Sequence, residues 1–268
     1  MEEEKAPITD HLEELRWRLV KCAIAVAVGF AATYAFSDKI FNFLVSPLVK
    51  VMPEESQLIY TSLPEAFFTY LKVSFFSGMI LATPVILYQI WKFVMPGLYT
   101  KEKRYVLPFV LIATLFFIMG VSFAFYLVFP LGFKFFLGFS TETISALPSM
   151  KEYLSLAMRL LFAFGITFEL PVIMFFLAKM GIVNHTLLRK KRKYAILIVF
   201  VLASILTPPD VISQFLLAVP LIGLYEVSIW VTYMVRKKKT HQQMNDSLKQ
   251  KLRKNRLFSL NGKDRDPK

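Results

Sequence analysis

Long apolar stretches, separated by short polar segments, dominate the pattern along the chain. A helix needs about 20 mostly apolar residues to cross the roughly 30 Å hydrocarbon core of a bilayer. Hydrophobic residues make up 56 % of the 268 positions, more than a soluble domain of this length would carry. We therefore predict an all-α membrane protein with six transmembrane helices, at 19–36, 67–93, 105–129, 153–178, 194–206 and 211–235.

Prolines predict where these helices break or bend, because proline lacks the N–H that continues the helical ladder. Ser46-Pro47 and Met52-Pro53 are expected to break the outer loop that extends over residues 37–65. Pro84 is expected to kink the second span, and Pro130 to close the third.

The last two helices are expected to be short. The stretch 194–206 covers only about 20 Å at 1.5 Å per residue. The uninterrupted apolar part of the sixth span, 215–225, is shorter still. Helices of this length should thin the surrounding bilayer.

Lysine and arginine predict the orientation of the chain, whose formal net charge is +13. Six of the 32 Lys and Arg residues lie in the predicted outer loops or in the outer parts of spans, namely Lys39, Lys50, Lys72, Lys134, Lys151 and Arg159. The positive-inside rule then places both termini in the cytoplasm. We interpret the charge as a signal for topology and lipid contact rather than for nucleic-acid binding. Residues 236–268 are polar and basic, and are predicted to form a disordered cytoplasmic tail.

The residue inventory offers few groups for catalysis. Cys22 is the single cysteine, and the three histidines, His11, His185 and His241, are far apart without metal-ligand spacing. The sequence shows no glycine-rich phosphate loop and no nucleophile–base grouping. We predict no metal, no cofactor and no catalytic residue, and hence no enzyme.

Glu169 is a costly residue within the predicted membrane domain. It lies in the apolar run Phe164-Gly165-Ile166-Thr167-Phe168-Glu169-Leu170-Pro171. An acidic residue at the centre of a spanning helix costs roughly 2.5–3.5 kcal/mol on insertion scales. Pro171 should bend the helix there. Two interpretations stay open: a functional polar site within the membrane, or a polar residue that is hydrogen-bonded inside the bundle.

The amino-terminal helix is amphipathic, with Leu12, Leu15 and Leu19 on one face. Glu14 and Arg18, four residues apart, can simply pair with each other, or can present a charged surface to a partner. The same choice holds for Glu102, which lies in the first turn of a helix, where the helix dipole favours an acid.

Several stretches occur in a characteristic order: His11-Leu12-Glu13-Glu14-Leu15-Arg16-Trp17-Arg18, Ser46-Pro47-Leu48, Pro84-Val85-Ile86-Leu87-Tyr88-Gln89, Phe93 through Pro96, Leu98-Tyr99 with Glu102, Phe164-Gly165, Phe168-Glu169-Leu170-Pro171, Leu188-Arg189-Lys190-Lys191-Arg192 and Thr207-Pro208-Pro209-Asp210 with Ser213-Gln214. Together they resemble the TatC family, the signal-peptide receptor subunit of the twin-arginine protein translocase. The likeness covers about residues 8 to 235. Each motif is weak alone, but their joint order on a six-span chain is specific.

The resemblance implies a concave, glove-like bundle in a bacterial inner membrane. It implies signal-peptide binding at the cytoplasmic face, and these site residues carry over: Glu14, Arg16, Phe93 and Glu102. It also implies an intramembrane polar or partner-contact site with Glu169 and Gln214, and an outer turn with Pro47 and Asp210.

The resemblance further implies partners. They are small single-span subunits of the TatA and TatB kind, twin-arginine signal peptides of folded substrates, membrane lipids, and further copies of the chain in the receptor complex. Transport in the family is driven by the proton-motive force. The alternatives are a secondary ion-coupled transporter that uses Glu169, which would usually show repeated halves, and an intramembrane enzyme.

Overall fold

The computed structural model of the chain describes residues 8–52, 58–94, 106–139, 147–207 and 210–235. Within these ranges the chain forms nine α-helices and a π-helical turn. The helices are α1 (Ile8–Tyr34), α2 (Ser37–Val49), α3 (Glu65–Val94), α4 (Val106–Phe123), α5 (Phe129–Leu137), α6 (Met150–Phe168), α7 (Leu170–Met180), α8 (His185–Leu206) and α9 (Val211–Val235), and the π turn is Ala124–Val128.

The all-helical membrane class predicted from the sequence is confirmed. By length and composition, four helical stretches of the described chain can cross a membrane, at Glu65–Val94, Leu107–Leu137, Met150–Met180 and Val211–Val235. A fifth candidate is α1 together with α2, which meet at 85°. The predicted fifth span, 194–206, lies in α8, which does not meet the same test. Its first half carries the basic run 189–193, so its charge-free part is the short stretch 194–206.

The first outer loop contains a helix that the sequence analysis did not predict. Ser46-Pro47 lies inside α2 rather than breaking the chain. Leu44, Val45 and Leu48 of this helix are buried in the largest apolar cluster, and the Tyr153 hydroxyl of α6 donates to the carbonyl of Leu44 at 2.7 Å. This packing outweighs the single backbone hydrogen bond that proline removes.

The expectation that Pro130 closes the third span is also wrong, because the helix continues to Leu137. Pro130 lies in the first turn of α5, directly after the π turn Ala124–Val128. Within that turn the N–H of Phe129 reaches back to the carbonyl of Ala124. The wider turn makes room for the proline ring, which would otherwise collide with the carbonyl four residues earlier.

Glycines allow two pairs of helices to touch through their backbones. A Cβ built on Gly78 of α3 would lie 2.4 Å from the backbone nitrogen of Phe30, and one on Gly29 of α1 would lie 2.4 Å from the Gly78 carbonyl oxygen. At the α4–α6 crossing, a Cβ on Gly120 would lie 2.5 Å from the carbonyl oxygen of Phe164. Only a residue without a side chain fits at these positions.

Glu65 joins the two outer segments at the beginning of α3 and α6. Its Oε2 accepts hydrogen bonds from the backbone N–H groups of Thr61 at 2.8 Å and Ser62 at 3.3 Å, and so caps the turn that begins α3, as the acid of a capping box does. Its Oε1 accepts from the Ser149 hydroxyl at 3.2 Å and from the backbone N–H of Lys151 at 3.1 Å. One buried carboxylate thus caps the amino termini of two helices. A parallel bridge between Ile59 and Ser149 lies beside it.

The glycine contact predicts a sharp response to one methyl group. We expect Gly78→Ala to lower stability by about 1–3 kcal/mol, because two backbones must move apart. Gly223→Ala in α9 is the matched control, since no atom lies within 4 Å of its added Cβ. The measurement is the thermal unfolding midpoint in detergent. Equal midpoints for the two variants would show that α1 and α3 do not depend on this contact.

Because Glu65 caps two helices, we expect Glu65→Ala to lower the free energy of unfolding by about 1–4 kcal/mol, the sum of two helix caps at about 0.5–2 kcal/mol each. Glu152→Ala is the control, because this exposed acid also lies in the first turn of α6 but outside the Glu65 network. Hydrogen exchange should rise at the first turns of both α3 and α6 in Glu65→Ala. Increased exchange at α3 alone would contradict the double cap.

Candidate functional site

The sequence-predicted site residues fall into three groups at different depths of the bundle. The beginnings of α1 and α8 and the ends of α3, α7 and α9 share one end of the bundle. We call it the basic end because it carries the run Arg189-Lys190-Lys191-Arg192-Lys193. The first group lies at this end, Glu169 lies within the bundle, and the third group lies at the opposite end.

At the basic end, Arg18 connects α1 to α3. Its Nε donates to Glu14 Oε1 at 3.1 Å, and its Nη2 contacts the same oxygen. Its Nη1 donates to Gln89 Oε1 at 3.4 Å, a long and therefore weak hydrogen bond. The Arg18 side chain is 11 % exposed and that of Glu14 is 39 % exposed. The pairing of Glu14 with Arg18, one of the two interpretations of the sequence, is therefore confirmed.

Phe93 lies one helical turn beyond Gln89, so both residues are on the same face of α3. The phenyl ring is half-buried. Arg16 is exposed and follows Glu14 by two residues, so it projects from another side of α1. Glu102 lies outside the described residues. The structure therefore brings Glu14 close to the α3 face that carries Phe93, and leaves Arg16 exposed on another side of α1.

Arg18 and Gln89 were not predicted as members of this group. Both stand in stretches that carry the family resemblance, and each is four residues from a predicted site residue. The spacing was therefore available, but the contact between α1 and α3 joins residues 71 positions apart. Nothing local in the sequence specifies that pairing.

Glu169 lies at a break between α6 and α7, where Pro171 occupies the first turn of the second helix. Only 6 % of the surface of Glu169 is exposed. Both carboxylate oxygens are buried and, among the described residues, have no hydrogen-bond partner. The described chain therefore does not show the second interpretation of Glu169, a polar residue that is hydrogen-bonded inside the bundle. The group is kept in apolar surroundings at a cost that folding alone does not explain.

Glu169 also marks the boundary between two apolar clusters. Phe168, its neighbour in α6, belongs to the larger cluster. Val172 and Phe176 of α7 belong to a second cluster around Trp91 of α3, in which Trp91 and Phe176 pack edge to face with ring centroids 4.8 Å apart. The polar group therefore lies where the bundle core is interrupted.

Gln214 does not lie beside Glu169 in the bundle. Its Nε2 donates to the carbonyl of Phe200 in α8 at 2.9 Å. The neighbouring Ser213 lines a cavity with Leu160 of α6. Glu169 lies nine residues further along α6, about 14 Å at 1.5 Å per residue. The two residues occupy separate positions rather than one cluster.

The outer-turn residues have structural partners. Asp210 caps α9, because its Oδ1 accepts from the backbone N–H of Ser213 at 2.7 Å. Pro47 is buried inside α2. Within the described ranges, no group of three or more His, Cys, Asp or Glu side chains could hold a metal ion.

These features define a class of protein: a helical, multi-pass membrane protein with charged side chains gathered at its basic end and a core acid that has no hydrogen-bond partner among the described residues. A family model described as Sec-independent protein translocase protein (TatC) matches residues 10–220. The chain is 56 % identical over 238 residues to the Sec-independent protein translocase protein TatC of Desulforapulum autotrophicum, covering 89 % of this chain and 88 % of that protein. It is 42 % identical over 228 residues to the protein of the same name from Escherichia coli K12, covering 85 % and 88 %.

A solved structure agrees with this family. The crystal structure of a twin-arginine translocase receptor TatC superposes with a TM-score of 0.78 at 40 % identity, covering 84 % of this chain and 99 % of that one. The chain belongs to the TatC family, as its sequence motifs predicted. It is a component of a protein translocase and not an enzyme, and the ion-coupled transporter is set aside.

The unpartnered carboxylate predicts opposite changes in stability and function. Glu169→Leu should stabilise the isolated chain by about 1–3 kcal/mol, the cost of an unsatisfied buried polar group, and should reduce translocation. Thr114→Val is the control, because the Thr114 hydroxyl is also buried without a partner among the described residues. It should stabilise the chain without affecting translocation.

The two readouts are the thermal midpoint in detergent and export of a reporter protein. A less stable Glu169→Leu chain would show that the carboxylate has a stabilising partner. Wild-type export by that variant would remove the functional interpretation of Glu169.

Proposed function

We propose that this chain receives twin-arginine signal peptides at its basic end, with the Glu14 side chain and Glu102 as the acids that bind the arginines. The observation that carries the proposal is the contact of Arg18 with Glu14 beside Gln89. It supports the view that a carboxylate at this position can bind a guanidinium group, since Glu14 accepts a hydrogen bond from that of Arg18, one turn along the same helix.

The chemistry of arginine explains why two acids suit such a ligand. Each guanidinium offers a planar fork of N–H donors that can contact a carboxylate with two hydrogen bonds. Lysine offers a point charge and should bind less well. The basic end is otherwise cationic, so an acid there provides a local and selective contact. Phe93, on the same face of α3 as Gln89, is proposed to pack against the apolar part of the peptide, and Arg16 to contact it from another side of α1.

The proposed orientation places both termini and the basic end in the cytoplasm of a bacterium, with the chain in the inner membrane. The run 189–193 supports it, because basic residues flank spans on the cytoplasmic side. The acid-capped beginnings of α3 and α6 would then face the outer side.

The proposed partners are single-span subunits of the TatA and TatB kind, and further copies of this chain in a receptor complex. The supporting feature is Glu169, whose carboxylate has no partner within the described chain and could accept a hydrogen bond from a polar residue of an added helix. Gln214, Pro47 and Asp210 are proposed as contacts of the outer half, at a separate depth from Glu169.

Signal-peptide binding is tested by exchanging the acids and the peptide arginines together. Glu14→Ala and Glu102→Ala should each weaken the binding of an Arg-Arg peptide by about ten- to a hundredfold, since a charge-assisted hydrogen bond contributes about 1.5–3 kcal/mol. The loss should be much smaller for a Lys-Lys peptide. A double-mutant cycle between each acid and each arginine isolates the coupling.

The matched control is Glu13→Ala, which removes an exposed acid next to Glu14 on a different face of α1. Its affinity for the Arg-Arg peptide should stay within about twofold of the wild-type value. If Glu102→Ala weakens Arg-Arg and Lys-Lys peptides equally, Glu102 is only a helix-start acid. If Glu13→Ala is as harmful as Glu14→Ala, binding depends on net charge and the site is wrong.

A further inference from the structure

A cavity with several polar lining residues lies at the basic end, between the beginning of α8 and the end of α9. Its volume is about 270 Å³. The lining residues are His185, Arg189, Arg192, Ile229, Trp230 and Tyr233. None of them belongs to the proposed peptide site on α1 and α3, so the cavity needs an explanation of its own.

The polar part of this lining has hydrogen-bonding capacity that the described chain does not use. The Nδ1 atom of His185 and the Nε atom of Arg192 are both buried without a hydrogen-bond partner among the described residues. Arg192 is nevertheless held in place, because its Nη2 donates to Glu226 Oε2 at 2.5 Å. The His185 ring is fixed edge-on to Tyr233, with ring centroids 5.2 Å apart. Both side chains are therefore held in place, while His185 Nδ1 and Arg192 Nε still lack a hydrogen-bond partner in the described chain.

The charge of the cavity favours an anion. Arg189 and Arg192 bring two guanidinium groups to the lining, one turn apart on α8, and Glu226 offsets only one of them. Guanidinium forks match the oxygens of phosphate in shape and bind them with two hydrogen bonds. A phosphate group is therefore the ligand whose acceptors best satisfy these donors.

The opening of the cavity favours an amphiphile over a free ion. Trp230 is 69 % exposed and Tyr233 is 50 % exposed, both on α9. Tryptophan and tyrosine at the ends of spanning helices occupy the headgroup level of a bilayer. Basic pockets between helices on the cytoplasmic side bind anionic headgroups, and the run 189–193 lies at the same level. The ligand would have its phosphate at the arginines and its apolar part beside the aromatic rings.

We propose that this cavity binds the phosphate of one anionic phospholipid from the leaflet at the basic end. Arg189 and Arg192 contact the phosphate oxygens, and Trp230 and Tyr233 lie beside the glycerol and the first acyl carbons. The lipid would join the beginning of α8 to the end of α9. The proposal does not depend on peptide binding at Glu14.

Tryptophan quenching tests it in the full chain. The sequence has three tryptophans. In a Trp17→Phe background, the remaining ones are the buried Trp91 and the exposed Trp230 at the cavity. Dibrominated phosphatidylglycerol or dibrominated phosphatidylcholine is titrated into the protein in uncharged detergent with 0.5 M salt, which screens diffuse attraction. The phosphatidylglycerol should reach half-saturation at a concentration about tenfold lower.

The variant pair Arg189→Gln with Arg192→Gln should weaken phosphatidylglycerol binding about tenfold or more, from roughly fivefold for each cation lost. The control pair is Lys190→Gln with Lys193→Gln, which removes the same charge from the same run but not from the cavity lining. It should change binding by less than about threefold. Arg189→Gln alone keeps the Arg192–Glu226 ion pair, and tests the site if the double variant does not fold.

Three results would overturn the proposal. Equal half-saturation for the two lipids would remove the preference for an anion. Equal losses for the arginine and lysine pairs would show only diffuse surface charge. Displacement of the lipid by 50 mM inorganic phosphate would assign the cavity to the free ion instead of a lipid.

Discussion

The close approach of α1 to α3 at Gly29 and Gly78, and of α4 to α6 at Gly120, is the constraint on which the bundle depends. Helices in lipid gain little from the hydrophobic effect when they associate, because the lipid tails are as apolar as their side chains. They associate through close van der Waals contact and through hydrogen bonds, and both need short distances. The Thr33 hydroxyl shows this directly, since it donates to the Ser74 carbonyl across the α1–α3 contact at 2.7 Å. This hydrogen bond depends on the short distance between the two helices.

Polar contacts fix the ends of the bundle, where water is close, and the middle is mostly apolar. Glu65 caps α3 and α6 at one end. At the basic end, Arg18 joins α1 to α3, and the Tyr225 hydroxyl donates to the Leu188 carbonyl at 2.9 Å to join α9 to α8. Glu169 breaks this pattern, because it is a carboxylate in the apolar middle without such a contact in the described chain. This contrast, more than its acidity alone, distinguishes Glu169 from an ordinary structural acid.

Hydropathy and charge predicted the class of fold and the position of most helices, because a bilayer imposes length and apolarity on each span. They failed where tertiary packing decides the outcome. The α2 helix forms despite Pro47 because its apolar face is buried, and the helix passes Pro130 because a π turn precedes it. Spacing along one helix likewise predicted the Glu14–Arg18 pair, but neither the Gln89 contact nor the capping of α6 by Glu65. These depend on which helices are neighbours, which one sequence does not specify.

The Arg18–Glu14 pair also bears on how a receptor of this kind could discriminate between ligands. The pair is partly buried, with the Arg18 side chain 11 % and the Glu14 side chain 39 % exposed, so a ligand that takes over Glu14 must make a stronger contact than Arg18 does. A bidentate arginine contact contributes about 1.5–3 kcal/mol, and a lysine contact gives less because it lacks the fork. A ligand would have to bind Glu14 more strongly than Arg18 does, which a bidentate peptide arginine could do and a peptide lysine could not. Since Arg18 also reaches Gln89 on α3, its displacement by the proposed peptide would remove this one weak hydrogen bond between α1 and α3 at the basic end. Ligand binding would then be coupled to the packing of those two helices.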